Sequence, residues 1–134
     1  MSKGYQLNQE RQFALRGLGK DLARRAKSRC ELTGAAGVPL HAWEVPPVPD
    51  WPALNETILI CEEVLQALEQ PDEFLAGPRW HCLAEHLWSD VPAIQVTAWR
   101  MLHFIANQEL WAREALEQAD LDAETLAWAG AEPL

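Results

Sequence analysis

Between residues 34 and 49 the chain carries Gly34, Gly37, Pro39, Pro46, Pro47 and Pro49. Proline removes a backbone donor and clashes with the preceding helical turn, so no long helix crosses this stretch. Whatever fold forms must therefore change character here. Inside the stretch, Val38–Val45 alternates well enough to predict a short strand, and the prolines after it end that strand. Residues 50–55 read as loop. Thr57–Ile60 is a β-branched, apolar run suited to pair with the first strand. Glu62–Glu69 reads as a helix that stops before Pro71.

The flanks read as helical. Over residues 7–28, Leu15, Leu18, Leu22 and Ala26 recur at three- and four-residue steps on one face. Arg16, Lys20, Arg24 and Lys27 recur on another. Gly17 and Gly19 weaken the middle of this helix by roughly 1 kcal/mol each relative to alanine, so it needs a surface to dock on. Downstream, a helix over 79–88 places Trp80, Leu83, Leu87 and Trp88 at core spacing. A second helix, from about Val91 to Ala106, has Asp90 as its expected cap and Ile94, Ala98, Met101, Leu102 and Ile105 on one face. Trp111, Ala115 and Leu116 continue the pattern, and Asp122 is positioned to cap a last helix holding Leu126 and Trp128. Trp80, Trp88 and Trp99 are expected at the centre of the core with Leu83, Leu87, Ile94 and Leu102.

The 134 residues suffice for one domain with a core, and an apolar content of 49% argues against disorder. No apolar run approaches the ~20 residues of a membrane span, and the polar start Met1–Gln6 lacks the apolar centre of a signal peptide. A cytoplasmic protein is expected. Three irregularly spaced cysteines do not make a disulfide framework. Charge is divided along the chain. Residues 1–29 carry eight cations and two acids, a net of +6, whereas the remainder carries three cations and eighteen acids, a net of −15.

Two stretches carry a family resemblance. The first is "CELTG" from Cys30 followed by "WEVPP" from Trp43. The second is "RWHCLAEHLWSDVPAIQVTAWRMLHFI" from Arg79, then "LDAETLAWA" from Leu121. Together, over about residues 28–130, they resemble the PhnA protein family, named for an alkylphosphonate-utilisation operon. The resemblance implies a zinc-ribbon-like region with a Cys-x-x-Cys pair in each of two knuckles. This chain departs from it: Thr33 follows Cys30 and Val64 follows Cys61 where second cysteines are expected. Many members also continue into a small β-rich C-terminal domain, which this chain is expected to lack. Nothing in the sequence marks a phosphonate site. A looser similarity joins Cys30, the strand, Asn55 and Cys61 to the treble-clef order of HNH nucleases. Ala42-Trp43-Glu44 stands where their paired catalytic residues belong, so the set for metal-assisted hydrolysis is incomplete.

The expected architecture is a single α+β domain over 1–134, mostly helical. It comprises a basic amphipathic helix (7–28), a degenerate zinc-ribbon or treble-clef-like hairpin with its helix (29–70), and a Trp-rich helical cluster (78–130). No catalytic constellation emerges. A zinc site requires four ligands, or three and water; the only recruits are Cys30, Cys61, His41 and Cys82, and Val64 cannot ligate, so no metal or other cofactor is expected. His81 and His86 diverge on their helix. The basic face of Arg16, Lys20, Arg24 and Lys27 is the expected contact for a protein partner or a second copy. The function expected is that of a non-enzymatic interaction or regulatory protein. The alternatives are zinc binding by the rearranged set and nucleic-acid binding through the same basic face.

Overall fold

The computed structural model describes residues 3–134, with side chains from residue 8 onward. The side chains of the polar N-terminal stretch thus lie outside the described residues. The chain is mostly helical with one small antiparallel hairpin, an α+β arrangement.

The expected first helix is two helices, α1 (Lys3–Gly17) and α2 (Gly19–Ala26), starting earlier than the leucine spacing suggests. Leu18 joins them, its N–H shared between Ala14 and Leu15 carbonyls at 3.2 and 3.1 Å. The two flanking glycines explain the weak joint, because glycine has the most backbone freedom to lose. Leu22 is the fully buried member of the leucine face. α2 ends where Lys27 and Ser28 both take left-handed backbone, each with φ 56°. Ser28 N–H then closes onto the Ala23 carbonyl at 2.8 Å.

Strands β1 (Leu40–Glu44) and β2 (Thr57–Cys61) pair antiparallel, with Leu40 opposite Cys61 and Glu44 opposite Thr57. All five β2 residues are buried. Such two-sided burial explains its continuous apolar run, whereas β1 is more open. Helix α3 (Glu62–Glu69) follows directly, as the sequence predicts, then a single turn α4 (Pro71–Phe74).

The predicted 79–88 helix is instead a 3₁₀ turn, Pro78–Cys82, followed by α5 (Leu83–His86). The exit also consists of tight turns: Leu87 N–H reaches Ala84, Trp88 reaches Glu85 and Ser89 reaches His86. With three residues per turn rather than 3.6, the projected stripe fails. Trp80, Leu83 and Leu87 remain buried, but Trp88 is 59% exposed. Its expected place in the core is therefore corrected.

The central element is α6 (Pro92–Ile105), followed by α7 (Leu110–Gln118) and α8 (Ala123–Ala131). Ile94, Ala98, Met101, Leu102 and Ile105 are buried as expected, but so are Ala93, Val96, Thr97 and Arg100. A helix buried on more than one face is one surrounded by others, and α6 packs against α5, α7, α8 and β2. Trp99 is only partly buried, at the edge of the core. Asp90 does not cap α6. Val91 holds that position, and Ser89 Oγ accepts its N–H at 3.1 Å. Asp122 does cap α8, its Oδ1 accepting the Thr125 N–H at 2.8 Å. Among the described residues no helix is long and apolar enough to cross a membrane.

Candidate functional site

The turn after α2 brings Cys30 beside the end of β2. The Thr33 N–H points at Cys30 Sγ (3.4 Å), and the Thr33 hydroxyl lies 3.6 Å from Cys61 Sγ. Both thiols are buried. Burial pushes the Cys30 thiol up, but hydrogen bonds from the Thr33 hydroxyl and N–H, and from the Cys61 and Leu32 backbone, outweigh it and leave it lowered. Cys82 lies close enough to feel this pair. Its own burial pushes it up, and charge on Cys30, Glu85 and Cys61 adds to the rise.

The four candidate ligands do not converge into one donor set. Cys82 donates to the Arg79 carbonyl at 3.5 Å. His41 turns to α3, its Nε2 2.7 Å from Glu62 Oε2, but off the axis of a hydrogen bond. Val64 is wholly buried where another thiolate would be needed. Among the described residues no three His, Cys, Asp or Glu side chains are placed to hold a metal ion together. The knuckle backbone is thus present around two thiols, with a hydroxyl and a methyl surface completing it. His81 stacks on Trp111 at 4.0 Å, and His86 Nε2 lies 2.8 Å from the Leu32 carbonyl, so the two imidazoles separate as expected.

The basic region divides into two groups that spacing does not distinguish. Arg11 and Arg25 turn inward. Arg25 makes a two-pronged pair with Glu31 (2.9 and 2.7 Å) and also donates to the Leu54 and Thr57 carbonyls. Glu31 Oε1 accepts the Leu59 N–H at 2.9 Å as well, which ties α2 to β2. Arg11 likewise grips Glu44 and the carbonyls of Pro49 and Asp50. Hydrogen bonding to Glu44 raises the Arg11 guanidinium further, against the effect of burial.

Arg16, Lys20, Arg24 and Lys27 are all exposed. Among the described residues only Arg24 of these four makes an ion pair, a 3.8 Å contact with Asp21 between two exposed side chains. Such a pair is worth little in water. Arg16 lies at the end of α1, Lys20 and Arg24 lie on α2, and Lys27 stands at the left-handed turn that ends it. Elsewhere, α3 and α4 expose Glu62, Glu63, Glu69, Asp72 and Glu73, of which Glu63 pairs with Arg79 at 3.0 Å.

Arg100 is the residue that spacing overlooks. It is nearly fully buried inside α6, where its Nε and Nη2 donate to the Ala129 and Trp128 carbonyls at 3.0 and 2.6 Å. Burial lowers its affinity for the proton, and the charge of Glu132 partly restores it. The available signal was a lone arginine within the apolar run Val96–Ile105.

Comparison of the chain with protein-family models, with curated proteins and with solved structures finds no match.

Proposed function

We propose that the chain is a small, non-enzymatic cytoplasmic interaction protein of the PhnA type, working without a bound cofactor, whose basic stripe docks on an acidic protein surface. The PhnA connection rests on the quoted motifs. The observation that carries the docking reading is the division of the cations: Arg11 and Arg25 are consumed in holding α1 and α2 to the hairpin, while Arg16, Lys20, Arg24 and Lys27 remain turned to solvent. Charges left in water cost little to keep and attract an opposite surface over the screening length, about 8 Å at physiological salt. A second copy offers such a surface in its α3–α4 acids, so self-association belongs to the same reading.

The test uses Arg16→Glu, Lys20→Glu and Arg24→Glu combined. Anisotropy of a labelled glutamate-rich peptide, with sedimentation of the unlabelled protein, is measured at low and physiological salt. Binding or association by the parent should weaken as salt rises and vanish in the triple variant, with urea unfolding unchanged. Binding that survives the charge reversal sinks the reading. If labelled duplex DNA binds the parent with a steep salt dependence while the acidic peptide does not, nucleic-acid binding replaces it.

A further inference from the structure

Arg100 lines a cleft of about 280 Å³, whose other walls include Trp99, His103, Phe104, Asn107 and Pro133. Two features set this cleft apart. First, Arg100 is 4% exposed, yet among the described residues it forms no ion pair. Its Nε and Nη2 cap α8, and Nη1 makes no hydrogen bond to another described residue. The charge of Glu132 only partly restores the proton affinity that burial removes, so an anion reaching the guanidinium gains more than at an open surface. Glu132 and Arg100 together line a small adjoining hollow of about 40 Å³. Second, the cleft has an aromatic wall. The Trp99 and His103 rings stack at 4.0 Å with 35° between their planes. His103 is itself exposed, so this stack lies at the mouth and not in the core.

We infer that this cleft binds a small aromatic carboxylate, with the carboxylate on the Arg100 guanidinium and the ring against the Trp99–His103 stack. Size agrees: a cavity of ~150 Å³ admits benzene, and the space here leaves room for the acid group. With Nε and Nη2 engaged by α8, Nη1 is the donor left to a carboxylate oxygen, and a hydrogen bond between two charged groups is stronger than a neutral one. Asn107 at the rim supplies a further polar contact to orient the ligand. This site stands apart from the basic stripe and does not depend on the docking reading.

Sodium benzoate is the probe, with benzyl alcohol and inorganic phosphate as controls, followed by ¹H–¹⁵N NMR on the full chain. A ligand of this size should saturate at roughly millimolar concentration. The indole N–H of Trp99 and the amides of 103–107 and 129–133 should shift. Benzyl alcohol, lacking charge, and phosphate, lacking a ring, should each bind at least tenfold more weakly. His103→Ala removes half the aromatic wall from an exposed position; it should weaken benzoate severalfold with unfolding unchanged. Arg100→Lys should abolish binding; if that variant does not fold, the His103→Ala result decides. Absence of saturation, equal binding of benzyl alcohol, or phosphate binding as tight as benzoate would each overturn the assignment. So would shifts centred on residues 16–27, or a His103→Ala variant that binds as the parent does.

Discussion

Three tryptophans show how one residue type takes three roles within twenty positions. Trp80 is wholly buried, and its Nε1–H donates to the Phe74 carbonyl at 3.1 Å, so the indole carries no unmet polar group inward. Trp99 sits at the core edge, and Trp88 stands largely in water. Truncating Trp80 to alanine should cost about 3–5 kcal/mol, as deep aromatic truncations do. The same change at Trp88 should stay within about 0.5 kcal/mol, the range of surface substitutions. Urea unfolding of Trp80→Ala and Trp88→Ala measures both. A large loss at Trp88 would mean that its ring packs inside and that the tight-turn exit from α5 is wrong.

At the scale of elements, two aspartates were expected to cap helices and one does. Asp122 accepts the Thr125 N–H; at α6 the cap position falls one residue later than expected, on Val91, whose N–H is taken by Ser89 Oγ. The Asp122 carboxyl is held below the ordinary carboxylate range by that Thr125 N–H, with the Thr125 hydroxyl adding to it. A depressed folded value means the native state holds its proton less tightly than the unfolded chain. The stabilisation is therefore present at neutral pH and fades as pH falls below about 4, the ordinary aspartate value. Asp122→Ala should be less stable than the parent at pH 7, with a smaller difference at pH 3. Asp122→Asn keeps an oxygen acceptor, so it should retain the cap and lose this part of the pH dependence. Urea midpoints of the three proteins at the two pH values test it. The same scale explains the divided N-terminal helix: the leucine stripe is continuous through residue 26, but Gly17 and Gly19 make Leu18 a joint.

For the molecule as a whole, a basic N-terminal pair of helices is fastened to an acidic body by two arginines. The inner fastening is the stronger. The Glu31 side chain is 4% exposed and Arg25 is its charge partner. Removing one member of such a pair leaves a buried charge without compensation, at a typical cost of 3–5 kcal/mol. The retained Leu59 N–H bond offsets part of this, so Arg25→Ala should lose about 3 kcal/mol. Arg24→Ala, one position away and exposed, should lose less than about 0.5 kcal/mol. Chemical unfolding of the two variants separates them. Equal losses would show that charge number, and not the buried pair, holds the helices down.

What the sequence by itself determined follows from local physics. The Pro- and Gly-rich middle forbade a through-going helix, alternation and β-branching marked both strands, and Glu62–Glu69 appeared with the predicted bounds. The apolar stripe of α6 was legible because a 3.6-residue repeat survives in a long helix. The 79–88 segment was not, because the change to three residues per turn leaves no mark in the spacing. Nor could spacing say which cations face inward. Arg24 and Arg25 are neighbours on the same helix, and only the position of Glu31 beside β2 makes one a fastening and leaves the other in water. The Cys30 and Cys61 neighbourhood, thirty-one residues apart in sequence, likewise depends on the strand register. The Arg100 cleft is the clearest case: its walls come from α6 and the turn after it, and from the end of α8 and the residues that follow, and they meet only because α6 and α8 pack together.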